Sequence, residues 1–214
     1  MDHASDHQPD GGAERRTRIL DAAEHCFVRT GFHRATMQDV ATQAGMSPGN
    51  LYRYFPSKDA IVVGLTERDR SDVAKDFAIF DGGGDFMTSF VQLGRKHFEE
   101  EPREKAVMCL EIWAESARNP AFASVCGEFE QFIIRRLTDV LGQAQARGEV
   151  PETVDPRSVA TLISTLADGL FVRRAIAPGF DAAREVPNVI NLIGALLSGA
   201  VPLNCALPAS EATS

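Results

Sequence analysis

The sequence predicts an all-α fold of about nine helices. Apolar residues recur three and four apart along most of the chain, and no stretch alternates apolar and polar residues over strand length. The breaks between periodic segments carry the Ser, Thr, Asp, Pro and Gly that start and stop helices.

In chain order, Ile19, Leu20, Ala23 and Phe27 make one apolar stripe over about 14–29, and Gly31 is placed to end that helix. Thr36 with Asp39 three residues on reads as a capping box opening a second helix, whose inner face is Val40, Ala41 and Ala44 and which Gly45 ends. Ser47 caps a third helix with Pro48 at its first position, where the missing N–H costs nothing. Ser57 caps a fourth, expected to bury Ile61, Leu65, Val73, Phe77 and Phe80. The run Asp81-Gly82-Gly83-Gly84-Asp85 is the clearest break. Helices are then expected over 85–100, 103–117, 120–147, 156–176 and 186–199, and disorder over the arm 1–13 and the tail 201–214.

Composition narrows the function classes. At 214 residues, with 44% hydrophobic and 24% charged, the chain is an ordinary globular one. No apolar run is long enough to span a membrane, and the first residues lack the apolar core of a secretory signal, so a cytoplasmic location is expected. Cys26, Cys109, Cys126 and Cys205 form no C-x-x-C pair and are expected to be buried or incidental thiols. His97 near Glu100 and His25 near Cys26 are read as ordinary surface or core residues, and Glu99-Glu100-Glu101 as a solvated run. No nucleophile, phosphate loop or metal motif suggests an enzyme; no catalytic residue, cofactor or metal is expected. The net charge of -8 argues against nucleic acid until it is divided. Residues 14–70 hold 9 Lys/Arg against 7 Asp/Glu, whereas residues 71–214 hold 13 against 20. A slightly basic start joined to an acidic remainder is compatible with DNA contact at one end only.

The stretch from Thr36 to Phe55 supplies that contact. Two short capped helices joined by Ala44-Gly45-Met46 follow the helix-turn-helix plan, whose second helix enters the major groove. The second helix carries Ser47, Asn50, Tyr52, Arg53 and Tyr54, all able to hydrogen-bond phosphates or base edges, and Leu51 and Phe55 can anchor it inward.

These residues resemble the DNA-binding domain of the TetR (tetracycline repressor) family. The resemblance rests on Ile19-Leu20, Ala22-Ala23, Phe27, Gly31-Phe32, Thr36, Val40-Ala41, Ala44-Gly45-Met46-Ser47, Gly49, Leu51-Tyr52, Tyr54-Phe55, Lys58 and Ile61. Asn50 and Arg53 stand where the family often has Thr and His. Leu110-Glu111-Ile112-Trp113, Arg147-Gly148-Glu149 and Ala167-Asp168-Gly169-Leu170 resemble the C-terminal domain of its AcrR/BetI-like branch. The resemblance implies a three-helix DNA-binding domain over 14–60 and a helical ligand-binding and dimerisation domain over 61–200. It implies groove-facing roles for Ser47, Pro48, Gly49, Asn50, Tyr52 and Arg53. It implies phosphate clamps at Thr36, Tyr54 and Lys58, with Arg15, Arg16 and Arg18 adding charge.

In the C-terminal half, Val159, Leu162, Ile163, Leu166 and Leu170 form one helical stripe and Ile190, Ile193 and Leu197 another. The resemblance makes them a two-fold dimer interface. Candidate ligand-pocket residues are Phe86, Phe90, Met108, Glu111, Trp113, Phe129 and Phe171, with Glu111 and Glu115 the polar feature one turn apart. The expected partners are thus a palindromic double-stranded DNA operator, a second copy of the chain and a small-molecule effector. The expected function is a repressor released by that effector. The alternatives are a ligand-dependent activator or co-repressor type and a helical dimer without DNA binding.

Overall fold

The computed structural model describes residues 10–201, and every regular element among them is helical. Residues 1–9 of the expected arm and 202–214 of the expected tail, with Cys205, lie outside the described residues. The helices are α1 (Asp10–Thr30), α2 (Met37–Gln43), α3 (Pro48–Tyr54), α4 (Lys58–Asp76), α5 (Phe86–Arg95), α6 (Arg103–Ser116), α7 (Pro120–Ala146), α8 (Pro156–Ile176) and α9 (Ala182–Leu197).

Four boundaries differ from the sequence reading. Helix α1 starts at Asp10 rather than Glu14, because its first turn is polar and so carries no periodic signal. Helix α4 ends at Asp76 and continues as a 3-10 turn over Phe77–Gly82 toward the glycine run, where Gly83 takes a left-handed φ of 71°. Phe77 and Phe80 are therefore buried from that turn, and Val73 is only half-buried. The helix expected over 85–100 divides into α5 and a π turn, Lys96–Glu100. Helix α9 starts before Pro187 and keeps it inside, although Pro cannot donate to the carbonyl four residues back.

The described residues form two compact units, one made of residues 10–73 with Pro102–Phe129, the other of Ala74–Glu101 with residues 130–201. In the first, Ile19, Phe27, Val40, Leu51, Ile61, Met108 and Phe122 share one apolar core. Helix α6 thus packs against α1 and contributes Met108 to the core of the N-terminal helices.

In the second unit, Phe80, Phe86 and Phe90 stack in a row with centroids 5.5 and 5.8 Å apart, and Phe98 meets Phe171 at 4.9 Å. The side chain of Glu149 accepts from the Phe86 backbone N–H, which explains the Arg147-Gly148-Glu149 motif: it ties the α7–α8 connection to the start of α5. Buried Arg174 donates to the carbonyls of His97 and Glu101 at the π turn. Around it the glutamate run is not simply solvated. Glu99 pairs with Arg95, and Glu101 with His97, whose other ring nitrogen lies 3.3 Å from Asp76.

The residues of the two apolar stripes divide by burial. Val159, Ile163, Leu170, Ile193 and Leu197 are buried within the single chain, where the stripes serve its own core. Leu162, Leu166 and Ile190 are half-buried. The large apolar side chains left exposed on these helices are Ile176 (62%) and Leu192 (46%).

Candidate nucleic-acid interface

The helix-turn-helix is built from local bonds that the sequence dictates. The Thr36 hydroxyl accepts from the Asp39 N–H, and the Asp39 carboxylate accepts from the Thr36 N–H at 2.9 Å and the Thr36 hydroxyl at 2.7 Å. Those bonds to the charged form hold the Asp39 carboxyl below the usual carboxylate range. Gly45 turns the chain at a φ of 65°, and the Met46 N–H closes the turn on the Ala41 carbonyl at 2.9 Å. The Ser47 hydroxyl then accepts from the Asn50 N–H, and Pro48 opens α3.

Inside, Leu51 and Phe55 are buried and fix the roll of α3. Its outward residues are Ser47, Gly49, Tyr52 and Arg53, all exposed, with Tyr52 at 51%. Pro48, Asn50 and Tyr54 are half-buried beside them. This short helix and its cap therefore expose a hydroxyl, a phenol and a guanidinium, with bare backbone at Gly49. Such groups reach phosphate oxygens and base edges.

The basic residues divide. Arg15 and Arg18 are exposed on α1. Arg16 lies over the Phe55 ring at 4.5 Å and pairs with Glu67 at 3.1 Å, bracing the end of α3 against α1 and α4. Lys58 turns inward. Its ammonium donates to the carbonyls of Phe32 at 2.6 Å and His33 at 3.3 Å, and sits 4.4 Å from the Phe32 ring centre. Burial lowers its pKa.

Sequence reasoning missed Gly64. A Cβ there would lie 2.8 Å from the Phe55 ring, 3.2 Å from Leu20 and 3.3 Å from the Arg16 guanidinium. An isolated glycine inside a helical pattern was the available signal. Cys26 is buried, and Cys109 and Cys126 are half-buried. Burial raises the thiol pKa at Cys26 and Cys126.

The pocket candidates fall in different units. Phe86, Phe90 and Phe171 belong to the second, and Met108, Glu111, Trp113 and Phe129 to the first. Met108 is part of the helix-turn-helix core rather than a free lining. The Glu111 carboxylate is engaged by backbone, accepting from the Phe32 N–H at 2.9 Å.

Comparison with known proteins agrees with this geometry. Residues 19–65 match the model for bacterial regulatory proteins of the tetR family, and residues 96–197 match that for the C-terminal part of BetI-type transcriptional repressors. The chain is 29% identical over 170 residues to the HTH-type transcriptional regulator UidR of Escherichia coli, covering 79% of this chain and 85% of UidR. Among solved structures, Salmonella enterica GusR superposes with a TM-score of 0.74 at 26% identity, covering 90% of this chain and 99% of GusR. SmeT in complex with triclosan superposes with a TM-score of 0.74 at 20% identity, covering 91% and 98%.

Proposed function

We infer that this chain, which belongs to the TetR family of bacterial regulatory proteins and is a helix-turn-helix transcriptional regulator, acts as a homodimeric repressor that a small organic ligand releases from a palindromic operator. The observation that carries the DNA half is the outward face of α3, with Ser47, Gly49, Tyr52 and Arg53 exposed on a helix capped at its start and anchored by Leu51 and Phe55. In this reading Arg53 reads a base edge, Tyr52, Tyr54 and Thr36 meet phosphates or bases, and Arg15 and Arg18 add charge.

The dimer half is supported by the apolar side chains that α8 and α9 leave in solvent. Ile176 at the end of α8 and Leu192 on α9 are the large apolar side chains these helices leave exposed, and we assign them to a two-fold contact with a second copy. Two copies of α3 then meet two half-sites about one helical turn apart. The ligand half is supported by the triclosan bound to SmeT, which has this fold, and by the aromatic row of the second unit, to which we assign the effector site. A ligand releases DNA only if it binds the DNA-incompetent arrangement better, and reversing a population from 1:99 to 99:1 takes about 5.5 kcal/mol. No helix among the described residues is long and apolar enough to cross a membrane, which is compatible with work in the cytoplasm.

The test is binding to a duplex selected by the protein from a random-sequence library. The selected sequence is expected to be palindromic. The logarithm of affinity is expected to fall with log salt by about 0.9 per phosphate neutralised, and Arg53→Ala to relax discrimination by about 1–3 kcal/mol at one base position per half-site. Selection of no sequence, or an affinity indifferent to salt, overturns the reading.

A further inference from the structure

The joint between α1 and α2 is held from two sides. Phe32 follows Gly31, whose φ of 82° only glycine adopts readily, and its ring packs edge-on between Phe27 and Phe122, each 5.3 Å away. Its peptide groups are gripped by different helices. Glu111 on α6 accepts from the Phe32 N–H at 2.9 Å, while Lys58 on α4 donates to the Phe32 carbonyl at 2.6 Å. The next residue repeats the pattern. Lys58 also reaches the His33 carbonyl, and the His33 ring nitrogen lies 2.9 Å from Glu115, one turn beyond Glu111 on the same face of α6. The Glu111 oxygens lie over Gly31, close enough that a Cβ there would touch them at 3.7 and 3.9 Å. Three residues after His33 comes Thr36, the cap that starts the helix-turn-helix.

We propose that Glu111 is a positioning residue for operator recognition: with Lys58 as the opposite jaw, it holds the backbone on either side of the Phe32 Cα and so sets where α2 begins and how α3 is presented. Glu111 counts among the pocket candidates read from the sequence, and the clamp gives it a task at the DNA end. Non-specific affinity depends on phosphate charge, whereas specific affinity needs side chains in register with base edges. A loosened joint therefore weakens the specific complex and leaves the non-specific one nearly unchanged. The proposal rests on α3 being the DNA-contacting helix, and wild-type binding to the library-selected duplex tests that premise alone, before any variant is made.

The experiment compares wild-type protein with Glu111→Ala and Glu111→Gln on the selected duplex and on a scrambled duplex of equal length, with thermal unfolding and hydrogen exchange at the Phe32 amide measured on each. Glu111→Ala is expected to lose about tenfold in specific affinity, equivalent to about 1.4 kcal/mol, with little change on the scrambled duplex and faster exchange at Phe32. Glu111→Gln keeps a carbonyl acceptor and is expected to restore binding and protection. Wild-type affinity in Glu111→Ala overturns the proposal. So does equal loss on both duplexes, or failure of Gln to rescue. If Glu111→Ala does not fold, Glu111→Asp decides: it keeps the charge but draws the acceptor back by one methylene. Wild-type specific affinity in Glu111→Asp then overturns the proposal, and a selective loss supports it.

Discussion

Gly64 carries no functional group, yet it sets the seat of the recognition helix. The Phe55 ring fills the space its missing side chain leaves, and Arg16 lies across that ring toward Glu67. Alanine would gain about 1 kcal/mol of helix propensity, but forcing a methyl against an aromatic edge at 2.8 Å costs about 1–3 kcal/mol. Gly64→Ala is expected to lower the melting temperature by about 2–4 °C for each net kcal/mol lost, and to weaken operator binding because Phe55 caps α3. Calorimetry with a titration on the selected duplex checks both, and unchanged melting and binding would show that the ring relaxes without cost. The role of Phe55 as an anchor was legible from its spacing to Leu51. The need for glycine opposite it was not, because Gly64 and Phe55 meet only when α4 folds back on α3.

Each short helix here depends on its ends, since seven residues give α2 few internal bonds. The Thr36–Asp39 box satisfies donors at the start of α2, and Thr36→Ala is expected to cost about 0.5–2 kcal/mol. The box also titrates. The folded Asp39 carboxyl lies below its unfolded value, so its contribution is fully present above about pH 4 and is lost as pH falls through the lower folded value. The gap in melting temperature between wild-type protein and Thr36→Ala is therefore expected to narrow on acidification below pH 4. A gap constant from pH 7 to pH 3 would remove the carboxylate from the account. Capping boxes are visible in sequence because all their partners lie within four residues. The π turn at Lys96–Glu100 was not, since carbonyls there are held by Arg174, more than seventy residues away.

For the molecule as a whole, the proposed assembly rests on what a single chain leaves uncovered. Leu192→Glu would place a charge on each side of the proposed two-fold seam, where unpaired burial is costly. The variant is expected to sediment as a monomer and to lose most of its operator affinity, because a lone α3 reads one half-site. Ile163→Glu, by contrast, is expected to unfold the chain rather than merely separate two copies, since Ile163 is buried within it. A dimeric Leu192→Glu would place the interface elsewhere.

What the sequence determined by itself was local and periodic: the helical class, the caps at Thr36 and Ser47, the turn at Gly45, and the inward roll of Leu51 and Phe55. These follow from bonds and spacings that span a few residues. Tertiary structure alone decided which face of an apolar stripe meets which neighbour. Periodicity shows that Val159, Ile163 and Ile193 are buried, but burial in one's own core and burial against a partner give the same stripe. It likewise decided that the charges of Lys58, Arg16 and Glu111 are spent on positioning the helix-turn-helix, because their partners at Phe32, Phe55 and Glu67 come near only when four helices pack around one turn.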